Sequence, residues 1–404
     1  MQNTDNIMSR LIICLCFLIL NSSCSNAQQD VSQSITTGAE QTDKYLPIFK
    51  GKKIALLVNQ TSMVGKTHLV DTIISMNNAQ NLGISIEKVF APEHGFRGQA
   101  AAGELVSTGI DESTGLEITS LYGKNKKPTA EQLAGLDWVV FDIQDVGARF
   151  YTYISTMHYV MEACAENGVK MMILDRPNPN GMYVDGPVLD TTQHSFVGMH
   201  QIPIVHGMTV GELAKMINGE KWLKNDLQCV LTVISVQNYD HNMSYALPVK
   251  PSPNLPNDLS ITLYPSLCLF EGTDISLGRG TYSPFLQIGH PEFKNDSLHS
   301  FTPVSIDGMS KYPKHQDKTC YGIDFSDHLV PHQLTLKYVI DYYHQFSQKD
   351  KYFNDFFKTL AGTTELEEQI KNGLSEEEIK KTWEADLNTY KQMRKKYLLY
   401  EDFE

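Results

Sequence analysis

Carboxylates recur in this 404-residue chain at one kind of place, just beyond short apolar runs. Glu93 follows Val89-Phe90-Ala91-Pro92 and precedes Gly95-Phe96, a setting that can desolvate a carboxyl group as a general acid requires, although His94 and Arg97, when charged, act the other way. Asp142 and Asp145 come with the next run, and Glu271 and Asp274 make a third acidic pair. Two carboxyl groups flanking a glycosidic bond are the usual requirement for cleaving it, one as acid and the other as base or nucleophile. Asp142 taken alone suits a buried strand-end residue equally well. Arg149, Tyr151 and Tyr153 alternate, so an extended segment would put all three on one face, and an Arg beside aromatic rings suits a ring-shaped anion.

The elements that must position these groups are legible as apolar runs: 53–58, 84–90, 138–143 and 169–174, with a further strand near 229–236. Helix-like segments alternate with them, which predicts an α/β fold with a mostly parallel sheet. Asn59, then Glu93 to Gly98, then Gln144 to Tyr153, then Asp175 to Gly181 with Arg176 and Asn178, each follow a run at once. Ligands of open parallel sheets bind beyond the carboxyl ends of the strands, so four such clusters predict one shared site. Thr209 and Glu212 have capping-box spacing, which makes Glu212 structural and leaves His206 as the residue of interest there. After about residue 291 the pattern predicts a smaller α/β domain with helices near 332–346, 365–371 and 375–397.

Several chemistries are excluded by absence. No G-x-S-x-G elbow, phosphate loop, H-E-x-x-H helix or dinucleotide fingerprint occurs, and no paired close cysteines suggest zinc. A net charge of −13 argues against a general nucleic-acid binder. Cys164, Cys229, Cys268 and Cys320 read as buried small hydrophobes. Arg10 followed by the apolar Leu11–Leu20 reads as a signal peptide over 1–24, with Cys24 in a loose lipobox, a competing cleavage site after Ala27 in Ser25-Asn26-Ala27, and residues 25–46 as a tether, so the chain is expected to be exported and, if cut at Cys24, lipid-anchored in the cell envelope.

Taken together, Pro92 to Gly98, Gln144 to Gly147 with Arg149 to Tyr153, Asp175 to Pro179, His206 to Thr209, and Glu271 to Thr273 with Gly278 to Thr281 resemble the exo-β-N-acetylmuramidase family, from about residue 48 to the C-terminus. The resemblance implies a Rossmann-like domain over 47–290, an auxiliary domain over 291–404, and release of N-acetylmuramic acid from the non-reducing end of peptidoglycan fragments without metal or nucleotide. It carries a catalytic role onto Glu93; for the second group Asp145, Glu271 and Tyr151 are candidates in that order. The lactyl carboxylate of that sugar calls for a cation, for which Arg97, Arg149, Arg176 and Arg279 are available, and a chain this acidic needs a local cationic patch to hold an anion. Asn59, His94, Tyr153, Asn178 and His206 complete the expected binding set. A non-catalytic glycan binder, or an esterase or amidase acting on the lactyl-peptide arm, would use the same cluster.

Overall fold

Seven strands make the main sheet, and their order explains where the clusters converge. In the computed structural model, which describes residues 34–97 and 109–404, these are β1 (Lys53–Val58), β2 (Ser85–Ala91), β3 (Gly109–Ile110), β4 (Glu117–Ser120), β5 (Trp138–Asp142), β6 (Lys170–Leu174) and β7 (Leu231–Ile234), in the order β3-β4-β2-β1-β5-β6-β7. Every neighbouring pair is parallel except the short edge pair β3 and β4. The expected runs thus form the five inner and edge strands of a Rossmann-like sheet; β3 and β4 are too short and polar to stand out in sequence. Ile54, Leu56 and Val58 of β1 join one apolar layer with Leu69, Val70 and Ile73 of helix α1 (Leu69–Gln80), while Ala55 and Leu57 join another with helix α2 (Tyr153–Asn167) and helix α3 (Val210–Gly219). A strand apolar on both faces is what a doubly covered parallel sheet demands.

Residues beyond the sheet share its second apolar layer. Helix α4 (Asp258–Leu267) leads into the turn Cys268–Gly272, and a three-stranded antiparallel sheet follows: β8 (Gln287–His290), β9 (His299–Phe301) and β10 (Cys320–Asp324), in the order β8-β10-β9. Helices α5 (Lys337–Gln345), α6 (Phe356–Ala361), α7 (Glu365–Lys371), α8 (Glu376–Thr382) and α9 (Glu384–Arg394) complete the chain. Phe270, Ile288, Phe357 and Tyr390 are continuous with Phe141 and Met157 in one core, and residues 35–404 form one compact unit. The helix expected over 375–397 is two helices, because Trp383 leaves helical geometry at φ −107°, ψ 2°. The expected Thr209–Glu212 capping box is present, and Ser375 with Glu378 forms a second one at the start of α8. The four cysteines are buried and free, as their surroundings imply.

The tether ends earlier than expected. Thr36 pairs with Gln237, Gly38 packs against the backbone of Leu174 and Asp175 where a Cβ would clash, and Tyr45 is fully buried, so residues 36–46 belong to the fold. Cys24 and the signal segment lie outside the described residues. Among the described residues no helix is long and apolar enough to cross a membrane.

Candidate active site

A cavity of about 530 Å³ opens where β2 and β5 end. Glu93 is set on its wall by an abrupt turn: His94 and Gly95 both take left-handed conformations, φ 69° and 79°, the first unusual for a non-glycine residue. Thr152 stands one residue before α2, and its hydroxyl donates to Glu93 Oε2 at 3.1 Å. The positive end of that 15-residue helix therefore faces the carboxylate. The Tyr122 hydroxyl is held by the same carboxylate; burial first, then the charge and hydrogen bond of Glu93, push its phenol above the usual range.

A second part of the lining comes from after α4. Glu271 accepts from Arg279, whose Nε lies 3.0 Å away, and the guanidinium sits 5.2 Å from the centre of the Phe285 ring. Gly272 lets this turn pass against α6, since a Cβ there would lie 2.3 Å from Phe357 Cα. Much of the remaining lining is aromatic. Tyr151 meets Tyr153 and Tyr264 edge-on, at 5.0 and 5.7 Å between ring centres, and both Tyr151 and Tyr153 hydroxyls donate to the Pro251 carbonyl. Burial holds the Tyr151 phenol well above its ordinary range, so this group is a neutral donor rather than a nucleophile at moderate pH.

The expected residues divide sharply. Glu93, His94, Tyr151, Tyr153, Glu271 and Arg279 line the cavity. Asp145 does not: it is 4% exposed, one carboxylate oxygen accepts the Gly147 amide, and His206 Nε2 lies 3.7 Å from that same oxygen. It is a buried carboxylate tied to the Gly147 turn and is not part of the cavity lining. Asn59 is fully buried, its side-chain oxygen accepting from Thr61.

Three of the four arginines expected to meet a substrate carboxylate are engaged elsewhere. Arg149 is fully buried and donates to the carbonyls of Pro187, Ile202, Leu360 and Ala361, because its backbone after β5 is not the extended segment that alternation assumed. Arg176 is buried in a two-bond pair with Asp142, at 2.6 and 2.9 Å, and Arg97 pairs with Asp111 at 3.0 Å over the Phe96 ring. Asn178 ties Met208 to Asn180. Nothing in local pattern singles out Tyr122, Asn254, Tyr264, Lys311 or Tyr312, all of which line the cavity. Thr152 was the exception with a signal, since it opens an apolar helix immediately after the Arg-aromatic cluster.

Asp274, His290 and His315 converge within 4.8 Å in the C-terminal part. His290 Nδ1 accepts the Glu292 amide, so its Nε2 donates to Asp274 at 3.2 Å, and His315 Nε2 bonds the Asp274 carbonyl. Both ring nitrogens facing the carboxylate are thus donors, the reverse of what a metal ligand needs.

A parallel sheet leading into an aromatic-walled cavity with two carboxylates in its lining defines an α/β protein furnished for a carbohydrate ligand. The chain belongs to the exo-beta-N-acetylmuramidase NamZ family: the family's N-terminal model matches residues 54–259 and its C-terminal model residues 262–400. It is 41% identical over 383 residues to the peptidoglycan beta-N-acetylmuramidase NamZ of Bacillus subtilis (strain 168), covering 88% of this chain and 89% of that one. Two solved DUF1343 family proteins of Bacteroides fragilis NCTC 9343 share the fold. One superposes with a TM-score of 0.83 at 47% identity and the other with 0.75 at 29%, each covering 91% of this chain and 99% of its own.

Proposed function

We propose that this chain is an exo-acting glycoside hydrolase that releases N-acetylmuramic acid from the non-reducing end of peptidoglycan fragments, with Glu93 as general acid. The observation that carries the reading is that Glu93 and Glu271 line one aromatic-walled cavity. The activity in the name of the Bacillus subtilis relative supports it further.

In this scheme Glu93, oriented by Thr152, protonates the glycosidic oxygen as the bond to the leaving sugar breaks. Glu271 replaces Asp145 as the first candidate for base or nucleophile, because it lines the cavity while Asp145 is buried and does not. The tyrosine rings face the sugar and exclude water, which strengthens the polar contacts within. Arg279, already paired with Glu271, and Lys311 are the cations on the wall that can meet the lactyl carboxylate. The N-terminal segment with Cys24 supports export and lipid anchoring in the cell envelope.

The test is product identity. Incubation with the disaccharide of N-acetylmuramic acid β-linked to N-acetylglucosamine should yield both free sugars. Saturable binding without product would instead define a glycan-binding lipoprotein, and cleavage at the lactyl-peptide arm would define an esterase or amidase.

A further inference from the structure

Beside the cavity lies a second chamber of about 320 Å³, and the two share Glu271, Arg279, Ser310 and Tyr312 as a common wall. Tyr312 is 83% exposed, in contrast to the buried tyrosines of the cavity floor. Its backbone, however, is anchored on both sides. Before it, Asn254 Nδ2 donates to the Met309 carbonyl at 3.0 Å; after it, Lys314 donates to the carbonyls of Phe270, Thr273 and Ile275, and His315 bonds the Asp274 carbonyl. A fixed loop therefore presents a largely open aromatic ring, with the Lys311 ammonium 5.8 Å from its centre. Aromatic rings are usually covered, and one left open where two binding chambers meet is suited to stack on a ligand ring.

We propose that Tyr312 is the platform for the leaving sugar, the residue to which the terminal N-acetylmuramic acid is attached. This rests on the hydrolase reading above. If the terminal sugar occupies the cavity holding Glu93, the remainder of the substrate has to leave it through an opening, and the chamber sharing Tyr312 is contiguous with that cavity. Its apolar contributors Ile275, Leu277 and Pro313 suit the hydrophobic face of a neutral sugar. Lys314 does not favour an anionic occupant there, because its ammonium is already directed at three carbonyls.

Binding measured by calorimetry on a Glu93→Gln background separates this claim from catalysis. Tyr312→Ala should weaken binding of the disaccharide roughly five- to tenfold, the scale of one aromatic stacking contact, and leave free N-acetylmuramic acid within about twofold. Tyr312→Phe should restore the disaccharide affinity. An unchanged disaccharide affinity would overturn the proposal, and so would equal weakening for both ligands, which would place the lactyl arm of the terminal sugar on Tyr312. If the wild-type protein forms no product while the selective weakening is seen, the hydrolase reading fails and the platform stands; absence of disaccharide binding overturns both.

Discussion

Thr152 Oγ1 lies 3.1 Å from Glu93 Oε2, joining the turn after β2 to the start of α2. One hydroxyl thereby fixes the acid relative to a helix that is itself buried in the core over most of its length. Thr152→Val keeps the shape and removes the donor. Loss of one hydrogen bond, about 1–1.4 kcal/mol, should lower kcat about fivefold to tenfold while KM stays within twofold. Steady-state kinetics on the disaccharide check this; a change confined to KM would mean that Thr152 contacts substrate instead.

Arg149 holds the C-terminal helices to the sheet domain through the Leu360 and Ala361 carbonyls, at 3.1 and 2.7 Å. Arg149→Met leaves four buried carbonyls without their donor, which should cost about 3–5 kcal/mol in urea unfolding. The substrate KM of the protein that remains folded should be unchanged. A KM effect with intact stability would return Arg149 to the substrate.

That residue also marks the limit of what could be read in advance. The five strands, the two capping boxes and the position of Glu93 follow from local pattern, since apolar runs, cap spacing and turn residues act over a few positions. The fate of each arginine does not. Arg149 looks like a ligand in sequence because it stands beside aromatics and Arg176 because it is a cation in a strand-end cluster, but their partners are backbone carbonyls of Leu360 and Ala361, more than 200 residues away, and Asp142 on an adjacent strand. Glu271 rises above Asp145 for the same reason: chain order does not reveal that the acid after β5 is buried while the one in the turn after α4 lines the cavity.

A buried histidine pair sets a pH dependence. His158 Nδ1 and His200 Nε2 are 3.1 Å apart, so one donates and the other accepts, and burial lowers the His158 pKa to about 4 from an ordinary 6.5. The unfolded chain therefore binds more protons than the native one between those values. The contribution is complete above pH 6.5 and is lost progressively as pH falls toward 4, amounting to about 3 kcal/mol. His158→Gln should flatten this part of the stability profile in denaturation at a series of pH values; an unchanged slope would contradict the assignment.

Gly272 carries the turn that places Glu271. Gly272→Ala brings a Cβ within 2.3 Å of Phe357 Cα, and overpacking against backbone should cost about 1–3 kcal/mol and lower kcat by displacing Glu271. Thermal unfolding and kinetics together report both effects, and a variant of wild-type stability would show that the contact relaxes freely.

The most direct measurement compares Glu93→Gln with wild type for release of free N-acetylmuramic acid from the disaccharide, with binding followed in parallel. General acid catalysis contributes about 10²–10⁴-fold, so turnover should fall by that factor while affinity for the disaccharide and the unfolding midpoint are retained. Turnover within a few fold of wild type would remove Glu93 from the chemistry and contradict the account.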